Sequence, residues 1–338
     1  MSIKLLNPSL KQNNRKINGR IFLIYVFCII AILQSGLRNV KHLSDENDTI
    51  RYQYSYENIL NTSWSQILQN FSFYSTDYGE RDLGYPIFVK LTQFLCDDFT
   101  FFMFLTATIF LVPFSLIIYR YVKSNLGIIL SFLIYFSLYT NIVNSFMRQA
   151  IALGIILYGV KYIINSNWKK YYFILAIAFV IHSSAVLAIP LYFLTKFVKS
   201  RKLLLWILII SPILMQFTPI LIKLLSTGSV YENYGDEVIR TPINYIMYLF
   251  FAAILCYFSY NRIIIIPNCK VLIAGILGTT LLLPLIWMGG TAIRISYYYS
   301  IFVIPIISLM IDNIIRDKNS RNVTYTISII FFLFLTLK

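Results

Sequence analysis

The chain has 338 residues, of which 58% are hydrophobic and only 13% charged, and its mean hydropathy is +0.70. A water-soluble domain carries about 25% charged residues, so a chain this apolar takes the bilayer as its solvent and leaves no room for a separate soluble catalytic domain. The formal charge of +15 does not point to nucleic acid, because the basic residues lie in short clusters between apolar runs, as the positive-inside rule produces.

Taken from the start, Lys4, Lys11, Arg15, Lys16 and Arg20 precede an apolar run that lacks a small-residue cleavage site. That run reads as a signal anchor and as the first span. Apolar runs near the ~20 residues that cross hydrocarbon follow. They occupy 20–37, 99–119, 126–143, 146–164, 203–225, 243–260, 271–288, 294–312 and 323–337. Between the first two lies the loop 38–84, with seven acidic residues and many Tyr and Asn. The loop 226–242 has the same character. Just before the second span, Ile87, Phe88, Leu91, Phe94 and Leu95 share one helical face, away from Lys90, Thr92 and Gln93. This predicts an amphipathic interfacial helix near 85–96. The fold class is an all-α polytopic integral membrane protein of about nine to eleven transmembrane helices. It forms a single transmembrane domain over 1–338, and both loops contribute to its site.

Charge orients the spans. With the N-terminus cytoplasmic, nineteen of the 29 Lys and Arg fall inside and twelve of the 14 acids outside. The stretch 171–194 decides whether this holds, since crossing once would place Lys196, Lys199, Arg201 and Lys202 outside. The alternative is two half-helices, 171–181 and 183–194, meeting at His182-Ser183-Ser184 as a broken or re-entrant hairpin. Each is about 16 Å long, too short to cross alone. The hairpin is the expected arrangement.

Charges at membrane depth are the functional candidates. Arg38 ends the first span, where a cation suits a helix C-terminus and can snorkel. Arg148 and Arg294 each follow a short outer turn, three residues after Ser145 and Thr291. If those are N-caps, Arg holds the position where Glu or Gln is favoured, against the helix dipole. Free amides, dipole and guanidinium then converge on an anion at the outer face. The structural reading is an Arg that snorkels to lipid phosphate. His182 sits at the break in 171–194, either as a buried imidazole holding that break or as a base facing an outer cavity. Asp45, Glu46 and Asp48 cluster in the first loop, and Glu80 and Asp82 cluster before Gly84-Tyr85. Cys28, Cys96, Cys256 and Cys269 show neither disulfide nor metal spacing. No Walker, GxSxG or HExxH motif is present, which argues against an ATP-driven pump and an ordinary hydrolase.

Five stretches in order carry a resemblance: LRNVKHLSDENDTIRY (37–52), ERDLGYPIFVKL (80–91), NSFMRQAIALGI (144–155), AIAFVIHSSAVLAIPLYFL (176–194) and GGTAIRISYYYSI (289–301). The chain resembles the EpsG family, Wzy-like polymerases of capsule, exopolysaccharide and O-antigen repeat units. The Arg-Gln and His-Ser stretches, about thirty residues apart, are its most specific part. The spacing from Arg38 to Asp48 is long for the family, which leaves Asp45 or Glu46 as rival equivalents.

The resemblance implies a membrane glycosyltransferase of the bacterial cytoplasmic membrane. It would move a growing glycan from one undecaprenyl-diphosphate carrier to the sugar of another lipid-linked unit at the outer face. Arg148 and Arg294, with Gln149 and Arg38, would hold the diphosphate. His182 is the first candidate base, with Asp48 and Glu80 behind it, and Tyr52, Tyr85 and Tyr297 suit sugars. No metal or other cofactor is required. The implied partners are the undecaprenyl-diphosphate-linked oligosaccharide, the lipid bilayer, a chain-length regulator and a flippase. The rival readings are a transporter or flippase for the lipid-linked glycan and a membrane acyltransferase.

Overall fold

The computed structural model describes residues 8–40, 48–69, 82–198, 200–226, 242–289 and 291–336, and no strand occurs among them. α1 (Pro8–Gly36) is followed by an outer layer of α2 (Asp48–Asn61), α3 (Trp64–Gln69) and α4 (Gly84–Leu95). Then come α5 (Phe99–Tyr121), α6 (Asn125–Leu138), the single turn α7 (Asn141–Asn144), α8 (Met147–Ile164) and α9 (Trp168–Ile181). A 3₁₀ segment, Ser183–Ala188, leads into α10 (Ile189–Phe197), α11 (Arg201–Ser226) and α12 (Ile243–Ile263). The chain closes with α13 (Lys270–Ile286), α14 (Thr291–Ser300), α15 (Val303–Ile314) and α16 (Lys318–Thr336).

The multi-pass membrane architecture read from the apolar runs is present, but the runs are not equal as helices. Among the described residues five helices are long and apolar enough to cross a membrane, and a sixth span arises if the bent pair α14–α15 counts as one. Other apolar runs are divided or short as helices and so fall outside that length test. The run 126–143 ends its helix at Leu138, where Tyr139 turns inward, fully buried, and donates its hydroxyl to the Ser300 carbonyl at 3.0 Å. The run 294–312 bends by 46° between Ser300 and Val303. The first helix of that pair begins at the site, with Arg294 in its first turn, and the second packs in the core. α6 and α13, at 14 and 17 residues, are shorter apolar helices.

Hydrogen bonds between helix ends show which ends lie together. Arg20 donates to the carbonyls of Val122 and Tyr119 at 2.8 and 3.1 Å, and Tyr121 donates to the Asn268 carbonyl at 2.8 Å. Arg262 donates to the Ile314 carbonyl at 3.0 Å. The described basic residues Arg20, Arg120, Lys123 and Arg262 therefore gather at one end of the bundle. The hairpin 171–194 doubles back as expected. Tyr171 at the start of α9 donates to the Ala188 carbonyl at 2.8 Å, and Tyr192 in α10 donates to the Ser166 carbonyl at 3.2 Å. Lys196 and Arg201 thus return to the basic end and His182 is left at the other.

α4 carries out the amphipathic expectation with its apolar face outward. Phe94 and Leu95 are 91% and 76% exposed, whereas Thr92 and Gln93 are buried. The inward side mixes apolar Tyr85 and Val89 with polar residues that tie α2 down. Gln93 donates to the Tyr56 carbonyl at 2.5 Å, and Lys90 satisfies the terminal carbonyls of Ile59 and Leu60 at 3.0 and 2.7 Å. At the start of α4 the backbone approaches α9 so closely that a Cβ on Gly84 would lie 2.6 Å from the Val180 carbonyl oxygen. Only glycine fits there.

Candidate functional site

The end of the bundle opposite the basic clusters holds two carboxylate–arginine pairs. The deeper one is built by the Gly84 contact, which sets Asp82, two residues earlier, against the C-terminus of α9. There Asp82 accepts from His182 Nδ1 at 2.9 Å and from the Ser183 amide at 2.8 Å, while Arg148 Nη1 stands 3.7 Å away. The carboxylate side chain is 4% exposed. Burial pushes its acidity constant up, but the His182 bond and charge, the Ser183 amide and Arg148 outweigh burial and hold it below the ordinary carboxylate value. An ionised Asp82 fixes the imidazole with its proton on Nδ1. His182 Nε2 then has no hydrogen-bond partner among the described residues, and the ring is 25% exposed. This is the geometry of an oriented general base.

Arg148 is packed between aromatic faces, its guanidinium carbon 5.6 Å from the Tyr52 ring and 5.4 Å from the Tyr85 ring. Cation–π attraction holds it there as well as charge. Tyr52 and Tyr85 meet edge to face at 5.9 Å. Burial pushes the Tyr85 phenol up, so it stays neutral.

The second pair is shallower. Arg294 Nη2 lies 2.8 Å from Asp48, and its guanidinium carbon stacks 3.9 Å over Phe146. Asp48 is the first residue of α2, where a carboxylate suits the helix dipole, and Arg51 is 3.9 Å away on the same helix. The two pairs are joined through the backbone, because Gln149, next to Arg148, donates its amide to the Arg294 carbonyl at 2.6 Å. Gln149 is buried, so its role in this structure is to set the spacing of the arginines. Thr49 donates to the Asn144 carbonyl and tethers α2 to the turn that precedes α8.

Neither arginine follows the capping scheme read from the sequence. Ser145 ends the single turn α7 and the N-cap of α8 is Phe146, without a side-chain bond, so Arg148 is the second helical residue. Thr291 is already the first residue of α14, and Arg294 is its fourth. The short helix α7 displaces the cap. Both arginines nevertheless remain in the first turn, at the positive end of their helices.

The other expected residues are spread around this centre. Arg38 donates to the Ser35 carbonyl and its Nη2 is 3.8 Å from Met147 Sδ, beside Arg148. Burial lowers its guanidinium to about 10, which leaves it charged at neutral pH. It lines an open cleft of about 470 Å³ with Gln53, Tyr56, Glu57, Asp97 and Phe99. Tyr297 is buried in an aromatic cluster with Tyr139 and Tyr245, at 5.7 and 6.3 Å. Glu80, Asp45 and Glu46, and all but the ends of the loop 226–242, lie outside the described residues. Asp82 was not singled out by the sequence, which offered it only as one of two acids before Gly84. The signal that could have found it is its position two residues before Gly84.

A description of known families bears on this arrangement. The model described as EpsG family matches residues 10–338, nearly the whole chain. The chain belongs to the EpsG family. The EpsG family is one of Wzy-like polysaccharide polymerases, so this multi-pass membrane protein is a polymerase of polysaccharide in the general sense. No curated protein and no solved structure matches it.

Proposed function

We propose that this EpsG-family protein joins repeat units carried on undecaprenyl diphosphate, at the outer face of the bacterial cytoplasmic membrane. The reading is carried by one observation: an Asp82–His182 pair at 2.9 Å shares its carboxylate with Arg148 and is spaced by Gln149 from a second arginine, Arg294. In the transfer, an acceptor hydroxyl oxygen bonds to the anomeric carbon of the donor glycan. The bond from that carbon to the diphosphate oxygen breaks, and undecaprenyl diphosphate leaves with the electron pair. His182 Nε2 takes the hydroxyl proton, and Asp82 stabilises the resulting imidazolium without itself changing protonation. Arg148 and Arg294 are matched to the charge that grows on the leaving diphosphate. Those guanidinia face Asp82 and Asp48, so an entering diphosphate must draw at least Arg294 off its carboxylate. The outer-face assignment, with the N-terminus cytoplasmic, rests on the opposite placement of the basic clusters.

Arg148→Ala, Arg294→Ala and His182→Ala are to be expressed beside wild type in a polymerase-null host with membrane levels matched. Gel electrophoresis of the surface glycan then reads the outcome. Single repeat units from all three variants, with long chains from wild type, support the proposal. Long chains from all three would remove these residues from the mechanism.

A further inference from the structure

The basic end of the bundle contains a cavity of about 520 Å³ between α1, α5 and α8. Four cations line it: Arg20 of α1, Arg120 of α5, Lys123 just beyond α5 and Lys161 near the end of α8. Among the described residues no carboxylate stands within 4 Å of any of them, whereas every ion pair found there involves other residues. Arg20 Nε is buried with no hydrogen-bond partner. Desolvation, then the charges of Arg20 and Arg120, lower the Lys123 ammonium, the mark of crowded like charge without a counterion. Leu116, Ile117, Leu157 and Ile164 share the lining with the cations, along with Tyr119 and Tyr158. Leu116 and Tyr158 are 56% and 50% exposed, so the cavity opens sideways toward lipid.

A cationic cluster that merely follows the positive-inside rule extends into water from a convex surface. Here the cations line a recess together with apolar side chains. Such a recess fits an anionic headgroup above and the first methylenes of an acyl chain below. It is also remote from the polymerase site, since the 18 residues of α8 place Lys161 about 20 Å from Arg148.

We propose that the Arg20–Arg120–Lys123–Lys161 recess binds the phosphate of an anionic phospholipid from the leaflet at the basic end. Phosphate in a free solute shares this chemistry but has no use for the apolar part of the lining. The binding does not depend on the polymerase reading and would persist in His182→Ala.

The test is native mass spectrometry of the full-length protein, exchanged into mild detergent and supplied with phosphatidylglycerol, phosphatidylcholine or inorganic phosphate. Wild type is compared with Arg120→Gln/Lys123→Gln/Lys161→Gln and with Lys169→Gln/Lys170→Gln/Arg201→Gln, which removes as much charge at the same end outside the recess. A cation beside an anionic lipid surface contributes about fivefold, so the first triple variant is expected to lose roughly a hundredfold in phosphatidylglycerol affinity. The second should lose little. Leu116→Trp, which fills the mouth without altering charge, should also weaken retention and guards against misfolding of the triple variant. Equal losses in both triple variants, equal binding of phosphatidylcholine, or displacement of the lipid by millimolar inorganic phosphate would each overturn the proposal.

Discussion

The two carboxylate–arginine pairs at the site end differ in what surrounds them. Asp82 is 4% exposed and receives a ring nitrogen, a backbone amide and a guanidinium. Asp48 is 22% exposed and faces Arg294 and Arg51, themselves 40% and 60% exposed. A buried ion pair with its acceptor sites filled is fixed, because withdrawing one partner strands a charge in low dielectric. A half-exposed pair exchanges with water at little cost and contributes at most about 1 kcal/mol. The deep pair therefore suits orientation of a base, and the shallow pair suits an arginine that must change partners when an anion arrives.

This difference can be broken at several points. The largest effect belongs to Asp82→Ala, which leaves Arg148 without its buried counterion. It should lower stability by about 3 kcal/mol, seen in the unfolding midpoint of the detergent-solubilised protein, and slow chain elongation no further than His182→Ala does. His182→Ala should slow elongation roughly 10²–10⁴-fold in membranes supplied with lipid-linked repeat units, while the unfolding midpoint moves far less than in Asp82→Ala. Gly84→Ala keeps every candidate side chain but drives a Cβ to 2.6 Å from the Val180 carbonyl. It should separate Asp82 from His182, reduce elongation at least tenfold, and be rescued by no change at His182. Asp48→Asn should move the unfolding midpoint least of the four, since the pair is half-exposed.

The pH dependence of stability sharpens the same contrast. Asp82 is held below its ordinary carboxylate value of about 3.9. Its contribution is therefore full above that value and is lost as pH falls through its lower folded value. The difference in midpoint between wild type and Asp82→Asn should narrow as pH falls below about 4. A difference that already closes near neutrality would mean that Asp82 is not held ionised in the fold.

Much of the architecture was legible in the sequence because apolar runs and basic clusters are local signals. The hairpin at 171–194 followed from charge alone, since Lys196 and Arg201 had to return to the basic end. Arg148, Arg294 and His182 stood out for the cost of charge or polarity at membrane depth. What sequence could not supply was the choice among acids. Asp82 and His182 are 100 residues apart, and Asp48 and Arg294 are 246 apart. Only the close approach of Gly84 to Val180 singles out Asp82 from the other acids of its loop. The start of α8 was misread for a related reason: the single turn α7, invisible to hydrophobic periodicity, takes Ser145 as its own end. The division of the runs at Leu138 and Ser300 likewise depends on tertiary contacts, such as the Tyr139 bond to Ser300.

The central claim is that Asp82 acts through His182. A double-mutant cycle on elongation rate, with Asp82→Asn, His182→Ala and the double variant in membranes at matched protein levels, tests it most directly. The account predicts that the double variant is no slower than His182→Ala alone, because an orienting carboxylate has no effect once its imidazole is gone. A double variant slowed by the product of the two single effects would contradict it and place Asp82 and His182 in independent roles.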